Sequence, residues 1–218
     1  MARHRKPARK PPIGSDSADG REPAELRIVG GSMRGRKLLY SGDLRTRPMK
    51  DRVREAVFNL VGPGVAGKHA IDLFAGSGAL GLEALSRGAA RATFIEQHFP
   101  TAARIRQNAA QLDVADRCEV LPANVFIWGQ KQTAGDDLPW VVFCSPPFAF
   151  FVERQAEMLA LIEGLLDRSP PESTVVIESD KRFDMGLLSH AEAWDIREYP
   201  PAVVALFRKA ARPLPGAT

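Results

Sequence analysis

From His69 onward, short runs of apolar residues alternate with longer stretches in which apolar positions recur every three or four residues. The first pattern suits strands buried on both faces and the second suits amphipathic helices, so their order predicts parallel βαβ units. Strands are expected at residues 70–73, 92–95, 118–121, 141–144 and 174–177, with two closing strands at 194–198 and 203–208 on either side of Pro200-Pro201. A helix is expected at 79–87, with Gly88 just past its end as a C-cap, and another at 101–112. Met158, Leu159, Leu161, Ile162, Leu165 and Leu166 mark a third. No segment repeats another.

The chain before His69 is patterned differently. Residues 1–25 are rich in Pro, Gly, Ser, Asp and Arg, with too little apolar surface to offset their ordering entropy, and are expected to be disordered. Residues 26–40 read as two short strands around a glycine turn, an arginine-studded hairpin that looks like a small appendage. Val53, Val57, Leu60 and Val61 then recur at helical spacing, and Gly62-Pro63-Gly64 ends that helix. The expected division is a basic tail at 1–25, hairpin and helix at 26–62, the main α/β domain at 63–210 and a short tail at 211–218.

With 218 residues, 44% hydrophobic and 26% charged, the chain can build one core of ordinary size. No apolar run approaches the length of a bilayer, and Met1-Ala2-Arg3-His4-Arg5-Lys6 leads into no apolar stretch of a secretory signal. A cytoplasmic monomer with no membrane partner is expected. Cys118 and Cys144 fall in expected strands as small buried side chains, and His4, His69, His98 and His190 have no metal-binding spacing, so no metal is expected. Charge changes the picture more. The net value is +4, yet residues 1–12 carry +5 and residues 27–54 carry +7, which leaves −8 for the rest. A local positive field of this kind attracts a polyanion, and residues 3–12 lack the large apolar side chains of a membrane-binding face. Nucleic acid is the better partner, with Arg34, Arg36, Arg45, Arg47, Arg52 and Arg54 as candidate contacts.

Three features point to a nucleoside cofactor. The first expected strand runs through Asp72, Leu73 and Phe74 into Ala75-Gly76-Ser77-Gly78, a turn of small residues that opens a helix and lets backbone amides approach a ligand. Glu96 closes the second strand, 24 residues after Asp72, where a carboxylate can accept both hydroxyls of a ribose. Asn124 follows the third strand, where an amide can pair with an adenine edge. The spacing Gly76-x-Gly78-x-x-Gly81 also fits a dinucleotide fingerprint. Asp72 favours S-adenosyl-L-methionine instead, because a carboxylate at the strand tip would repel a pyrophosphate but suits an ammonium group. Gly81 has a second reading as a close-packing position between helix and sheet.

Downstream, Ser145-Pro146-Pro147-Phe148 follows the apolar run Val141-Val142-Phe143-Cys144. Two prolines stiffen the loop and remove two backbone donors, which leaves carbonyls free as acceptors. With the aromatic ring of Phe148 beside them, they form a surface for a planar heterocycle and its exocyclic amine. The candidate catalytic residues are therefore Ser145, Pro146, Pro147 and Phe148, with Ser145 also near the cofactor.

The run Arg27-Ile28-Val29-Gly30-Gly31, then Arg34-Gly35-Arg36-Lys37-Leu38, Arg47-Pro48, Asp51-Arg52-Val53-Arg54-Glu55 and Phe58-Asn59, followed by residues 72–88, resembles the RsmD family of bacterial 16S rRNA guanine-N2 methyltransferases. The likeness spans about residues 26 to 208. It implies a Rossmann-like class I methyltransferase, an α/β fold with a seven-stranded, mostly parallel sheet and a small N-terminal β-hairpin extension. It also implies S-adenosyl-L-methionine as methyl donor, a guanine amine in 16S rRNA or a small-subunit assembly intermediate as acceptor, and an arginine-rich N-terminal part that grips RNA. The chain departs from the family at Ser145, where Asp or Asn is usual, and at His98, where an acid is usual. Ser145 can accept one amine hydrogen bond and the Pro146 carbonyl the other, while Phe148 stacks on the base. Exchanging a charged acceptor for a neutral one costs roughly ten- to thirty-fold in rate. Ser-Pro-Pro-Tyr loops also occur in cytosine-N4 DNA methyltransferases, so a cytosine or DNA amino-methyltransferase is an alternative, as is a catalytically weakened RNA-binding assembly factor.

Overall fold

The computed structural model describes residues 26–40, 49–131 and 138–212. Strands β1 (His69–Asp72), β2 (Arg91–Ile95), β3 (Cys118–Leu121), β4 (Trp140–Cys144), β5 (Thr174–Asp180), β6 (Asp195–Tyr199) and β7 (Ala202–Arg208) form one sheet in the order β3-β2-β1-β4-β5-β7-β6. The first five strands run parallel, with His69 opposite both Arg91 and Trp140 and with Val141 opposite Thr174. β7 inserts antiparallel beside β5, and β6 closes the edge antiparallel to β7. Every residue of β4 is buried, as a central parallel strand covered on both faces requires. β6 at the edge is mostly exposed and carries Asp195, Arg197 and Glu198, side chains that discourage pairing with another chain.

Period-two alternation along each strand divides the interior into two layers. On one face Ala70, Phe94, Val141, Phe143 and Val176 pack with helices α1 (Asp51–Val61), α2 (Ala79–Ser86) and α3 (Phe99–Gln111). On the other, Ile71, Ile95, Val142, Val175 and Ile177 pack with α4 (Val125–Lys131), the single turn α5 (Phe150–Glu153) and α6 (Gln155–Arg168). α2 lies close against β2: a Cβ at Gly81 would fall 2.3 Å from the Phe94 ring. That agrees with the packing reading of this glycine.

Four expectations change. Residues 26–40 form a strap-like hairpin of two very short arms, paired at Arg27 and Lys37 with the Ile28 and Leu38 N–H groups bonded to the Arg36 and Leu26 carbonyls, but they are no appendage. Leu26, Ile28, Met33 and Leu38 enter the same core as α1 and α2, while backbone groups of the strap bond to Glu83, Ser86 and Asn108. Side-chain acceptors from α2 and α3 add to the pairing between the two arms and hold the hairpin against the core. Gly31 fits because its φ is +76° and a Cβ would lie 2.0 Å from the Ser86 carbonyl oxygen. Helix α4, not expected from the pattern, is started by Asn124, whose Oδ1 accepts the Phe126 N–H at 2.9 Å and whose carbonyl accepts from Trp128. Finally, β5 continues three residues past its apolar run through Glu178, and Cys118 is half-buried where full burial is expected. No described helix is long and apolar enough to cross a membrane.

Candidate active site

β1 and β4 are neighbours, but the chain leaves β1 toward β2 and leaves β4 toward β5, so a crevice opens at their carboxyl ends. A cavity of about 720 Å³ occupies it, a size common for pockets that hold small ligands and cofactors. Its wall brings together the turn after β1, the ends of β2 and β3, the loop after β4 and the β6–β7 turn, with Met49 and Lys50 just ahead of α1. Residues distant in sequence thus meet because parallel strands all end at one rim.

In the turn, Gly76 and Gly78 both have positive φ, 49° and 76°, and the Gly78 N–H closes back on the Ala75 carbonyl at 2.6 Å. Glu96 holds the turn from below β2: its carboxylate accepts the Gly76 N–H at 2.9 Å and the His98 N–H at 2.8 Å. Each oxygen keeps a further lone pair for a ligand hydroxyl. The Asn124 carbonyl is used in capping α4, which leaves its NH2 group as a donor at the cavity wall. Phe74, Phe126 and Phe150 form edge-on and tilted contacts at 6.1 to 6.3 Å, and the Arg154 guanidinium lies 3.9 Å over the Phe126 ring. Phe74, Ala75, Gly76, Ser77, Glu96 and Asn124 all face one space. An aromatic floor, a diol acceptor and an amide donor fit an adenosine-like group.

Two of the sequence-derived cofactor residues do not reach that wall. Gly78 shapes the turn from behind, where a Cβ would meet Ile105 at 3.0 Å. Asp72 is buried beneath the turn and accepts the Gly81 N–H at 3.0 Å, so its carboxylate anchors the start of α2 rather than facing the cavity. Burial pushes its pKa up to about 7, against the lowering effect of the Gly81 bond, and the nearby Glu96 charge pushes it further up. Between pH 3.8 and about 7 the folded chain therefore keeps a proton that the unfolded chain releases. The associated stability is present at acid pH and is lost as pH rises through about 7, on the order of 4 kcal/mol. Asp72→Asn keeps an acceptor for Gly81 but buries an NH2 group. It is expected to be more stable than the parent by about 2 kcal/mol above pH 7, with the gain gone by about pH 5 and reversed toward pH 4. Thermal melts at pH 5 and pH 8 read the difference directly.

Across the cavity stands the loop after β4. The Pro147 and Phe148 carbonyls accept the Phe150 and Phe151 N–H groups at the start of α5, at 2.9 and 3.2 Å. The Pro146 carbonyl is left without a bonded partner among the described residues. Ser145, Pro146, Pro147 and Phe148 all line the cavity, with Phe148 half-buried. The strand pattern alone does not mark Glu178. Its carboxylate, buried at the end of β5, accepts the Ser145 hydroxyl in a short hydrogen bond and lines the same space. The available signal was an acid directly following the apolar run Val175-Val176-Ile177, at a strand end that faces the switch point. Arg154 and Lys50 are also unmarked, since neither belongs to a motif.

The six arginines separate. Arg34, Arg36 and Arg52 are exposed, although Arg36 also bonds the Gln111 carbonyl. Arg45 and Arg47 lie outside the described residues. Arg54 is corrected: it is fully buried, bonded to the Met49 and Arg27 carbonyls and to Asp51, and paired with Glu83. A guanidinium enclosed in this way joins the strap to α1 and α2 and has no face left for RNA.

This strand order, with a glycine turn after β1, an acid after β2 and a proline-rich acceptor loop after β4, defines a Rossmann-like class I methyltransferase fold. An RNA methyltransferase from Salinibacter ruber, solved in complex with S-adenosyl-L-homocysteine, shares the fold at 21% identity, with a TM-score of 0.57 over 78% of this chain and 97% of that one. Escherichia coli yhhF superposes with a TM-score of 0.70 at 32% identity, covering 86% of this chain and 99% of that one. The family model described as "Conserved hypothetical protein 95" matches residues 26–208. "Ribosomal RNA small subunit methyltransferase D" of Escherichia coli K12 is 35% identical over 185 residues, 84% of this chain and 88% of that protein. The chain belongs to this RsmD family.

Proposed function

We propose that the protein methylates the exocyclic N2 amine of a guanine in 16S rRNA, acting as a monomer on the free RNA or a small-subunit assembly intermediate, with S-adenosyl-L-methionine as donor. The observation that carries this reading is the shared cavity, in which the turn after β1 and Glu96 face the Ser145–Phe148 loop. When bound, the cofactor supplies an electrophilic methyl carbon on a sulfonium. The protein's task is then to orient the amine for in-line attack and keep water out. Ser145 Oγ and the unpartnered Pro146 carbonyl accept the two amine hydrogens, and Phe148 stacks on the base. The base must leave any helix to arrive there, which favours a loop or an unfinished subunit. Lys50 at the cavity mouth and the exposed Arg34, Arg36 and Arg52 supply phosphate contacts.

Incubation with tritiated S-adenosyl-L-methionine and immature small subunits or free 16S rRNA is expected to label the RNA, and nucleoside mass spectrometry to find N2-methylguanosine. Label in cytosine N4 or in DNA would replace this reading, and no transfer to any nucleic acid at high enzyme concentration would overturn it.

A further inference from the structure

The serine in the acceptor loop is not alone, because a carboxylate from the next strand stands behind it. The Ser145 hydroxyl gives its single proton to Glu178, so the lone pairs of Oγ are what it offers to a substrate. Glu178 is 8% exposed, has no cationic partner among the described residues, and opens onto the same cavity as Ser145 and Pro146. A carboxylate has about four acceptor positions, and Ser145 fills one of them. Burial raises the pKa of Glu178, while the Ser145 bond lowers it. Such a group gains from any further donor brought to it. The cavity wall therefore carries three acceptors, the Pro146 carbonyl, Ser145 Oγ and the Glu178 carboxylate, the last two in direct contact.

We propose that Glu178, acting with Ser145, is the residue that selects guanine, by accepting its N1–H while Ser145 Oγ and the Pro146 carbonyl hold the N2 amine. This rests on the methyltransferase reading above and deepens it. Guanine places N1–H directly beside its N2 amine, so adjacent donors meet adjacent acceptors. Cytosine and adenine place a ring-nitrogen lone pair beside their amines, which would face the Glu178 carboxylate and be repelled. In the transfer, the N2 lone pair forms the new bond to carbon, the carbon–sulfur bond breaks with its pair returning to sulfur, and one amine proton leaves to water. Glu178 also accounts for the serine: the acid absent from the loop is present one strand away.

The first test uses the unaltered protein with S-adenosyl-L-homocysteine and compares binding of guanosine, 2-aminopurine riboside and cytidine monophosphates by calorimetry. 2-Aminopurine keeps the N2 amine but carries a lone pair at N1, and it and the cytidine nucleotide are expected to bind at least about 10-fold more weakly than the guanosine nucleotide. Equal binding of guanine and 2-aminopurine nucleotides overturns the proposal. The second test uses Glu178→Gln, whose amide can donate as well as accept. It is expected to lose about 10-fold of the guanine-over-cytosine preference and about 10- to 100-fold in turnover, with S-adenosyl-L-homocysteine affinity unchanged. Adding Ser145→Asp to Glu178→Gln returns an acid to the site and is expected to restore most of the turnover, whereas Ser145→Asp alone sets two carboxylates side by side and gains nothing. Unchanged base preference in Glu178→Gln, or no rescue by the double variant, contradicts the proposal. Should Glu178→Gln fail to bind S-adenosyl-L-homocysteine, the nucleotide comparison decides. If the protein labels guanine N2 in rRNA but fails these tests, only this inference falls; if it labels no guanine, the functional reading falls first.

Discussion

Replacing Glu83 with alanine is expected to destabilise the protein by about 3–5 kcal/mol and to lower its melting temperature by roughly 10 °C or more. Glu83 lies in α2 with no exposed surface and works in three directions. One oxygen bonds Arg87 Nε at 2.9 Å; the other accepts the Val29 N–H at 2.8 Å and lies 3.7 Å from Arg54 Nε. The last contact is an ion pair without a hydrogen bond, and Arg54 is itself completely buried. Removing the carboxylate leaves a buried cation short of compensation and a strap amide without its acceptor, which costs more than the pair itself contributes. Because Arg54 also bonds the Met49 carbonyl at 3.2 Å, the loosening reaches the cavity mouth. Replacing both partners, Glu83→Leu with Arg54→Met, is expected to recover only the part of the loss that comes from the uncompensated cation, because the Val29 N–H and the Arg27 and Met49 carbonyls still lose their partners. Thermal or urea unfolding of the two variants checks this, and a drop below about 2 °C for Glu83→Ala would contradict it.

The second large effect concerns the proposed cofactor site. Glu96→Ala is expected to weaken S-adenosyl-L-homocysteine binding about 100-fold, and Glu96→Gln about 10-fold, by calorimetry. The alanine variant loses both carboxylate oxygens, the acceptors proposed for the ribose hydroxyls. The Gly76 and His98 amides lose the same acceptors, and the turn after β1 relaxes as well. The glutamine variant keeps one acceptor oxygen and loses the charge. A change under about 3-fold in the alanine variant would place the ribose elsewhere.

Local pattern made most of the framework legible. Buried parallel strands read as unbroken apolar runs, so β1, β2, β3 and β4 were expected within a residue of where they lie. The turn at residues 75–78 and the loop at 145–148 were legible because glycine and proline act on their own backbone, whatever surrounds them. Helix α4 was not, since its start depends on the single side-chain cap at Asn124. The arginines form one class in the sequence, which has no means to sort them. Whether a guanidinium faces solvent, as at Arg52, or is enclosed, as at Arg54, depends on which side of α1 meets α2 and the strap.

By itself, then, the sequence determined the βαβ order, the positions of the turn and the acceptor loop, and the family to which the chain belongs, because each of these is written in residues adjacent along the chain. Only the tertiary structure decided which groups share the cavity. It moved Asp72 beneath the turn, enclosed Arg54 and set Glu178 against Ser145, 33 residues away in sequence. The reason is geometric. Parallel strands bring their carboxyl ends to one rim, so the chemistry of the site is assembled from neighbours in the sheet that are strangers in sequence.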